Sequence, residues 1–138
     1  RCQWVAEKNG VNWYNDSKGT NVGACIAAIN GLGGNGKIIL LAGGQGKGAD
    51  FSPLKQPLST YGRLAILFGE DAALIDKALS GAVMTVTVSS LEEAVRLADE
   101  ESSSGDVVLL SPACASFDMF SNYEARGDAF VHCVEELH

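Results

Sequence analysis

Lys47 lies among glycines in Leu41-Ala-Gly-Gly-Gln-Gly-Lys-Gly-Ala-Asp-Phe51, immediately after the aliphatic run Ile38–Ala42. A strand that ends in a glycine-rich loop is how α/β proteins hold an anion at the carboxyl edge of a parallel sheet. The loop is not a phosphate-binding P-loop. The pattern GxxxxGK[ST] requires Gly at position 41 and Ser or Thr at position 48, where this chain has Leu41 and Gly48. The hydroxyl that would hold Mg²⁺ beneath a nucleotide's phosphates is therefore missing. Two further polar stretches, Asn15-Asp-Ser-Lys-Gly-Thr-Asn21 and Ser111-Pro-Ala-Cys-Ala-Ser-Phe-Asp118, also follow strand-like runs. If those strands are neighbours, the Thr20 hydroxyl, the Lys47 ammonium and the Ser116 hydroxyl converge as a clamp for a dicarboxylate. Charge-assisted hydrogen bonds and helical N–H groups would hold it without a metal. Each residue also has a plainer use. Thr20 or Asn21 can cap a helix, as can Ser116 or Asp118; Asp16 can accept from turn amides; Lys47 can be a solvated loop lysine.

Groups for proton transfer or nucleophilic attack are scarce. His132 falls in the terminal helical pattern and His138 at the chain end, neither near a strand tip. Ser111 and Ser116 lack His/Asp partners, and no GxSxG elbow exists. Asp16 and Asp118 are the one candidate acid/base pair. The four cysteines (2, 25, 114 and 133) form no CxxC and no metal-ligand spacing with histidine. They are expected to be buried reduced thiols, which implies a reducing compartment. No catalytic residue and no metal site is assigned; the chain looks equipped to bind and orient.

The elements that must position these residues are legible from periodicity. Residues 2–8 and 11–16 are extended runs around Asn9-Gly10, a hairpin turn signal. A helix capped by Thr20 or Asn21 follows, with Val22, Cys25, Ile26 and Ile29 on one face and a stop at Gly31, Gly33, Gly34 and Gly36. Strands are predicted at 37–42, 63–68, 83–88 and 106–110. An irregular helix is predicted around Pro53 and Pro57, and further helices at 71–79, from Leu91 and at 123–137. Ser90-x-x-Glu93 reads as a capping box for the helix from Leu91. Apolar strands alternating with helices give a Rossmann-like three-layer α/β/α sandwich. Its sheet has about six strands, mostly parallel, covered on both sides, with one antiparallel N-terminal strand.

At 138 residues a single domain is expected. No apolar run approaches the length that spans a bilayer. Arg1 opens what reads as mid-strand, without Met or signal peptide, so the chain is expected to begin inside a longer protein. The net charge of −7 argues against nucleic acid. Residues 1–69 hold seven Lys/Arg against three Asp/Glu, and residues 70–138 three against fourteen. A small anion would be met by the first half.

Asn15-Asp-Ser-Lys-x-Thr-Asn21, Gly43-Gly-x-Gly-Lys-x-Ala-Asp-Phe-Ser-Pro53, Leu110-Ser-Pro-Ala-Cys-Ala-Ser-Phe-Asp-x-Phe120 and Tyr123-x-x-Arg-Gly-x-x-Phe130, in this order, resemble the C-terminal domain of the muramoyl ligases. The Gly-Lys-x-Ala-Asp-Phe segment is most similar to the member that adds D-glutamate. The resemblance implies an ATP-dependent amide ligation in bacterial cytoplasm, for peptidoglycan synthesis, by a monomeric enzyme. UDP-N-acetylmuramoyl-L-alanine would be activated as an acyl phosphate with release of ADP. The UDP-sugar would bind a first domain, and Mg²⁺ and the P-loop a central one. Carried over, Thr20, Lys47 and Ser116 would bind D-glutamate's carboxylates, Phe117 and Tyr123 would shape the pocket, and Asp16, Lys18 and Arg1 would face ATP. The fragment alone is expected to be inactive. Two alternatives stay open: a sibling ligase for another amino acid, including a folyl-type enzyme, and a non-catalytic metabolite-binding module.

Overall fold

The computed structural model describes residues 2–137. Asn9 and Gly10 take φ of +56° and +80°, the left-handed pair whose twist suits a two-residue hairpin. They join β1 (Gln3–Lys8) to β2 (Val11–Asn15) in antiparallel register. Four more strands follow: β3 (Ile38–Gly43), β4 (Gly62–Phe68), β5 (Met84–Thr87) and β6 (Val107–Leu110). Together the described strands form one sheet in the order β1-β2-β6-β3-β4-β5, parallel throughout except for the first pair.

Strand alternation supplies two cores. Ile38, Leu40 and Ala42 of β3 face a layer made by α1 (Val22–Leu32), α2 (Lys55–Tyr61) and α3 (Ala72–Leu79), packing with Cys25, Ile29, Leu58 and Ile75. Ile39 and Leu41 face the layer of α4 (Leu91–Glu101) and α5 (Tyr123–Glu135), with Ala94, Val95, Phe130 and Val134. Each such aliphatic side chain contributes about 1.5–3 kcal/mol on burial, so β3 and β6, buried on both faces, are the rigid centre. That centre carries the loops of interest.

Several local expectations are corrected. Gly31 lies inside α1, which ends at Leu32 and passes into a 3₁₀ turn at Gly33–Asn35. Asn21, not Thr20, caps α1: its side-chain oxygen accepts from Ala24 N at 2.8 Å. Ser90 caps α4 through Glu93 N, but Glu93 reaches back to Ser89 N (2.8 Å) rather than to Ser90. The last helix stops at Glu135, so Leu137 packs from beyond it. Coverage is also incomplete at the β5 edge, where Met84 and Val86 are exposed. Their cross-strand neighbours Leu64 and Ile66 belong to the α4–α5 core, which does not extend to the last strand.

All four cysteines are free; Cys25 and Cys114 are buried, Cys2 and Cys133 only partly so. Burial pushes the Cys25 and Cys114 thiols up to about 12 from an ordinary 9.0. The folded state thus holds protons that the unfolded chain releases above pH 9. The stability linked to these thiols is present below that value and is lost as pH rises towards 12. Urea midpoints are expected to fall from pH 8 to pH 10, and less steeply in a Cys25→Ala/Cys114→Ala variant. Parallel slopes would show that other groups set the alkaline limit.

Candidate functional site

The sheet order makes β2, β6 and β3 consecutive, so the loops that leave their carboxyl ends share one rim. Backbone hydrogen bonds then stitch the loops together. Asp16 N donates to Leu110 O at 2.7 Å and Ala113 N to Gly19 O at 2.9 Å, joining the β2 and β6 loops. Gln45 and Ala115 exchange bonds of 3.0 and 2.9 Å, joining the β3 and β6 loops. Gly44 makes that approach possible: its φ is +129°, and a Cβ there would lie 2.2 Å from the Ala115 carbonyl oxygen. Asp71, at the start of α3, fixes the glycine loop from below, accepting from Gly46 N at 2.7 Å. Asp118 accepts from Glu70 N at 2.8 Å and ties the β6 loop to the end of β4.

Within this frame Lys47 is exposed, with a left-handed backbone (φ +53°), and its ammonium sits 5.7 Å from the centroid of the Phe117 ring. Among the described residues it forms no ion pair. Ser116, next to Phe117, is 3 % exposed and its hydroxyl has no partner. Lys47, Ser116 and Phe117 are thus brought together. Thr20 is half-buried beside Gly19, the residue that Ala113 engages.

The remaining candidates gather on the β2 side. Asp16 is buried, and its carboxylate accepts from the Ser111 hydroxyl at 2.8 Å. The turn amide is served instead by Asn15, whose side chain accepts from Ser17 N. Lys18 is exposed and lines two grooves. One, of about 440 Å³, includes Asp16, Cys2 and the alanines of α1. The other, of about 200 Å³, includes Tyr123, Asn15 and Ser17. Tyr123 therefore stands beside Lys18, where its carbonyl accepts from the Ser17 hydroxyl at 2.7 Å. Asp16 and Asp118 hold different loops, and no hydrogen bond links them. Arg1 lies outside the described residues, as does His138. His132 borders a groove of about 410 Å³ between α4 and α5. Among the described residues no three His, Cys, Asp or Glu side chains gather as metal ligands.

Periodicity and motif gave Arg126 no role, yet it anchors the site. It is 1 % exposed. Its Nε donates to Ser17 Oγ (2.9 Å), its Nη2 to Ser17 O (2.7 Å) and its Nη1 to Cys114 O (3.0 Å). Burial lowers its pKa to about 10, against the opposing influence of nearby Cys114 and Asp118, so it stays protonated at neutral pH. Its neighbour Gly127 sits so close to the β2 loop that a Cβ would lie 3.0 Å from the Asn15 amide. The available signal was a single basic residue beside glycine in an otherwise acidic segment, residues 123–136.

A family model described as "Mur ligase, glutamate ligase domain" matches residues 1–114. The chain belongs to this family. It is 58 % identical over 139 residues to the UDP-N-acetylmuramoylalanine–D-glutamate ligase of Pseudomonas aeruginosa, covering 99 % of this chain and 31 % of that protein. The enzyme of the same name from Legionella pneumophila strain Lens is 59 % identical, with the same coverage. The chain thus spans about a third of the length of these relatives. A ligase domain from Haemophilus ducreyi, solved as a separate chain, shares the fold: its TM-score is 0.60 at 14 % identity, covering 97 % of this chain and 99 % of that one. No described helix of this Mur ligase domain is long and apolar enough to cross a membrane.

Arg126→Met keeps much of the side chain's volume but leaves two buried carbonyls and the Ser17 hydroxyl without their donor. Hydrogen bonds to a charged group are worth about 1.5–3 kcal/mol each. A loss of at least ~2 kcal/mol in urea unfolding is therefore expected, with faster amide exchange in both the 16–19 and 113–116 loops. A change confined to α5 would contradict the clamp.

Proposed function

We propose that this chain is the C-terminal, amino-acid-binding domain of a longer ATP-dependent ligase that joins D-glutamate to UDP-N-acetylmuramoyl-L-alanine. The observation that carries the reading is the pairing of Lys47, a cation with no ion pair among the described residues, with an unpartnered buried hydroxyl, Ser116, across two stitched loops. Both groups would complete their bonding with a carboxylate. High identity to D-glutamate ligases over nearly the whole chain supports the choice of amino acid.

In this reading Thr20, Lys47 and Ser116 hold the carboxylates of D-glutamate, and the rings of Phe117 and Tyr123 wall the pocket. Asp16 and Lys18, with Arg1, face ATP when the domain closes. The UDP-sugar carboxylate accepts the γ-phosphoryl group elsewhere in the enzyme, releasing ADP. The amine of D-glutamate attacks the resulting acyl phosphate, the tetrahedral adduct expels phosphate, and the amine loses its proton. Mg²⁺ would supply charge neutralisation at the phosphates from residues outside this chain.

The domain contributes by positioning. Holding the amine against the acyl phosphate converts a bimolecular step into one of high effective molarity, worth up to roughly 7–11 kcal/mol. Closure excludes the water that would otherwise hydrolyse the acyl phosphate. The enzyme would work in the bacterial cytoplasm as a monomer, within peptidoglycan synthesis. Alone, the domain has one wall of each pocket, so it would bind D-glutamate weakly and turn nothing over.

Lys47→Ala in the full-length enzyme is expected to raise the KM for D-glutamate at least about tenfold, the scale of one lost charge-assisted bond, with the KM for ATP nearly unchanged. Unaltered D-glutamate kinetics would remove Lys47 from the site.

A further inference from the structure

Phe117 is 63 % exposed. A large aromatic side chain held in water gains nothing from packing, so its placement calls for a contact of another kind. The contact it makes is with the Lys47 ammonium. Three features of the chain aim that lysine at the ring. Its own backbone is left-handed (φ +53°), a conformation disfavoured for residues bearing a Cβ. The glycine loop is pinned by Asp71 through Gly46 N. The bridge between Gln45 and Ala115 sets the two loops side by side, with Lys47 and Phe117 each two residues beyond it.

We propose that Phe117 is a positioning residue for the amino-acid substrate, its ring holding the Lys47 ammonium in place before a carboxylate arrives. This rests on the assignment of Lys47 to D-glutamate above. A lysine on a free loop must surrender rotamer freedom when it engages an anion. Here the ring restrains the side chain beforehand through its negative face, while Lys47 as a residue remains exposed. The unpartnered Ser116 hydroxyl, adjacent in sequence to the ring, marks where the carboxylate completes its bonding. Contact between ring and lysine thus sets affinity for the anion, and Phe117 takes no part in bond making.

Two readouts test this. On the 138-residue chain without ligand, the Lys47 ε-methylene protons are expected to show an upfield ring-current shift in NMR spectra, lost in Phe117→Leu and kept in Phe117→Trp. In the full-length enzyme Phe117→Leu is expected to raise the KM for D-glutamate about two- to fivefold, the scale of an exposed cation–π contact. The KM for ATP should stay unchanged, and Phe117→Trp should restore the D-glutamate KM. The proposal falls if Phe117→Leu leaves the ε-proton shifts where they were. It also falls if those shifts move while the D-glutamate KM stays at the wild-type value. A normal ring-current shift combined with a Lys47→Ala enzyme of unchanged D-glutamate KM would overturn the parent assignment along with it.

Discussion

One buried guanidinium joins the two loops from which most of the candidate site is built. Arg126 donates to the Ser17 carbonyl and hydroxyl in the β2 loop and to the Cys114 carbonyl in the β6 loop. No carboxylate lies within ion-pair range of it among the described residues. Its desolvation is therefore offset by neutral acceptors, supplemented by the more distant Asp118 charge. Such an arrangement persists only where the acceptors are held rigidly and geometry is good. The rigidity comes from β2 and β6, paired in parallel through Asn15 and Leu110 immediately before the loops begin. Helix α5 acts as the strut that locks their exits at a fixed spacing.

Everything functional then follows from strand order. With β6 inserted between β2 and β3, segments remote in sequence leave the sheet as neighbours, which is where open α/β sheets bind ligands. The Gln45–Ala115 exchange extends the pairing beyond the strands, and Gly44 is needed because no side chain fits against the Ala115 carbonyl. The rim divides into two neighbourhoods: Lys47, Ser116 and Phe117 on one side, Asp16, Lys18 and Tyr123 on the other. In the proposed function the first group receives an anion and the second faces another substrate.

The sequence carried much of this because the relevant physics is local. Asn9-Gly10 demanded a left-handed turn, the aliphatic runs demanded a two-sided sheet, and glycines around Lys47 left the backbone free to approach another loop. The misses have a common origin in distance along the chain. Arg126 looks like any helical arginine until its acceptors, more than a hundred residues earlier for Ser17, are placed beside it. The exposure of Met84 and Val86 depends on β5 being last in the sheet, a matter of topology that no strand-like pattern encodes. Thr20 and Asn21 are both competent caps, and only the backbone geometry at Asn21, extended at φ −139°, decides between them. Tyr123, which the resemblance gives a part in shaping the pocket, lines a groove with Lys18, Asn15 and Ser17.

The central claim is that loops 16–20, 44–48 and 113–117 act as one binding surface. Titrating the ¹⁵N-labelled chain with D-glutamate, and separately with L-glutamate, measures this directly. The account predicts that amides of Gly19, Thr20, Gly46, Lys47, Gly48, Ala115, Ser116 and Phe117 move together, fitting a single weak dissociation constant, with little response to the L-enantiomer. Shifts limited to one loop, equal shifts with both enantiomers, or shifts centred on the α4–α5 groove would contradict it.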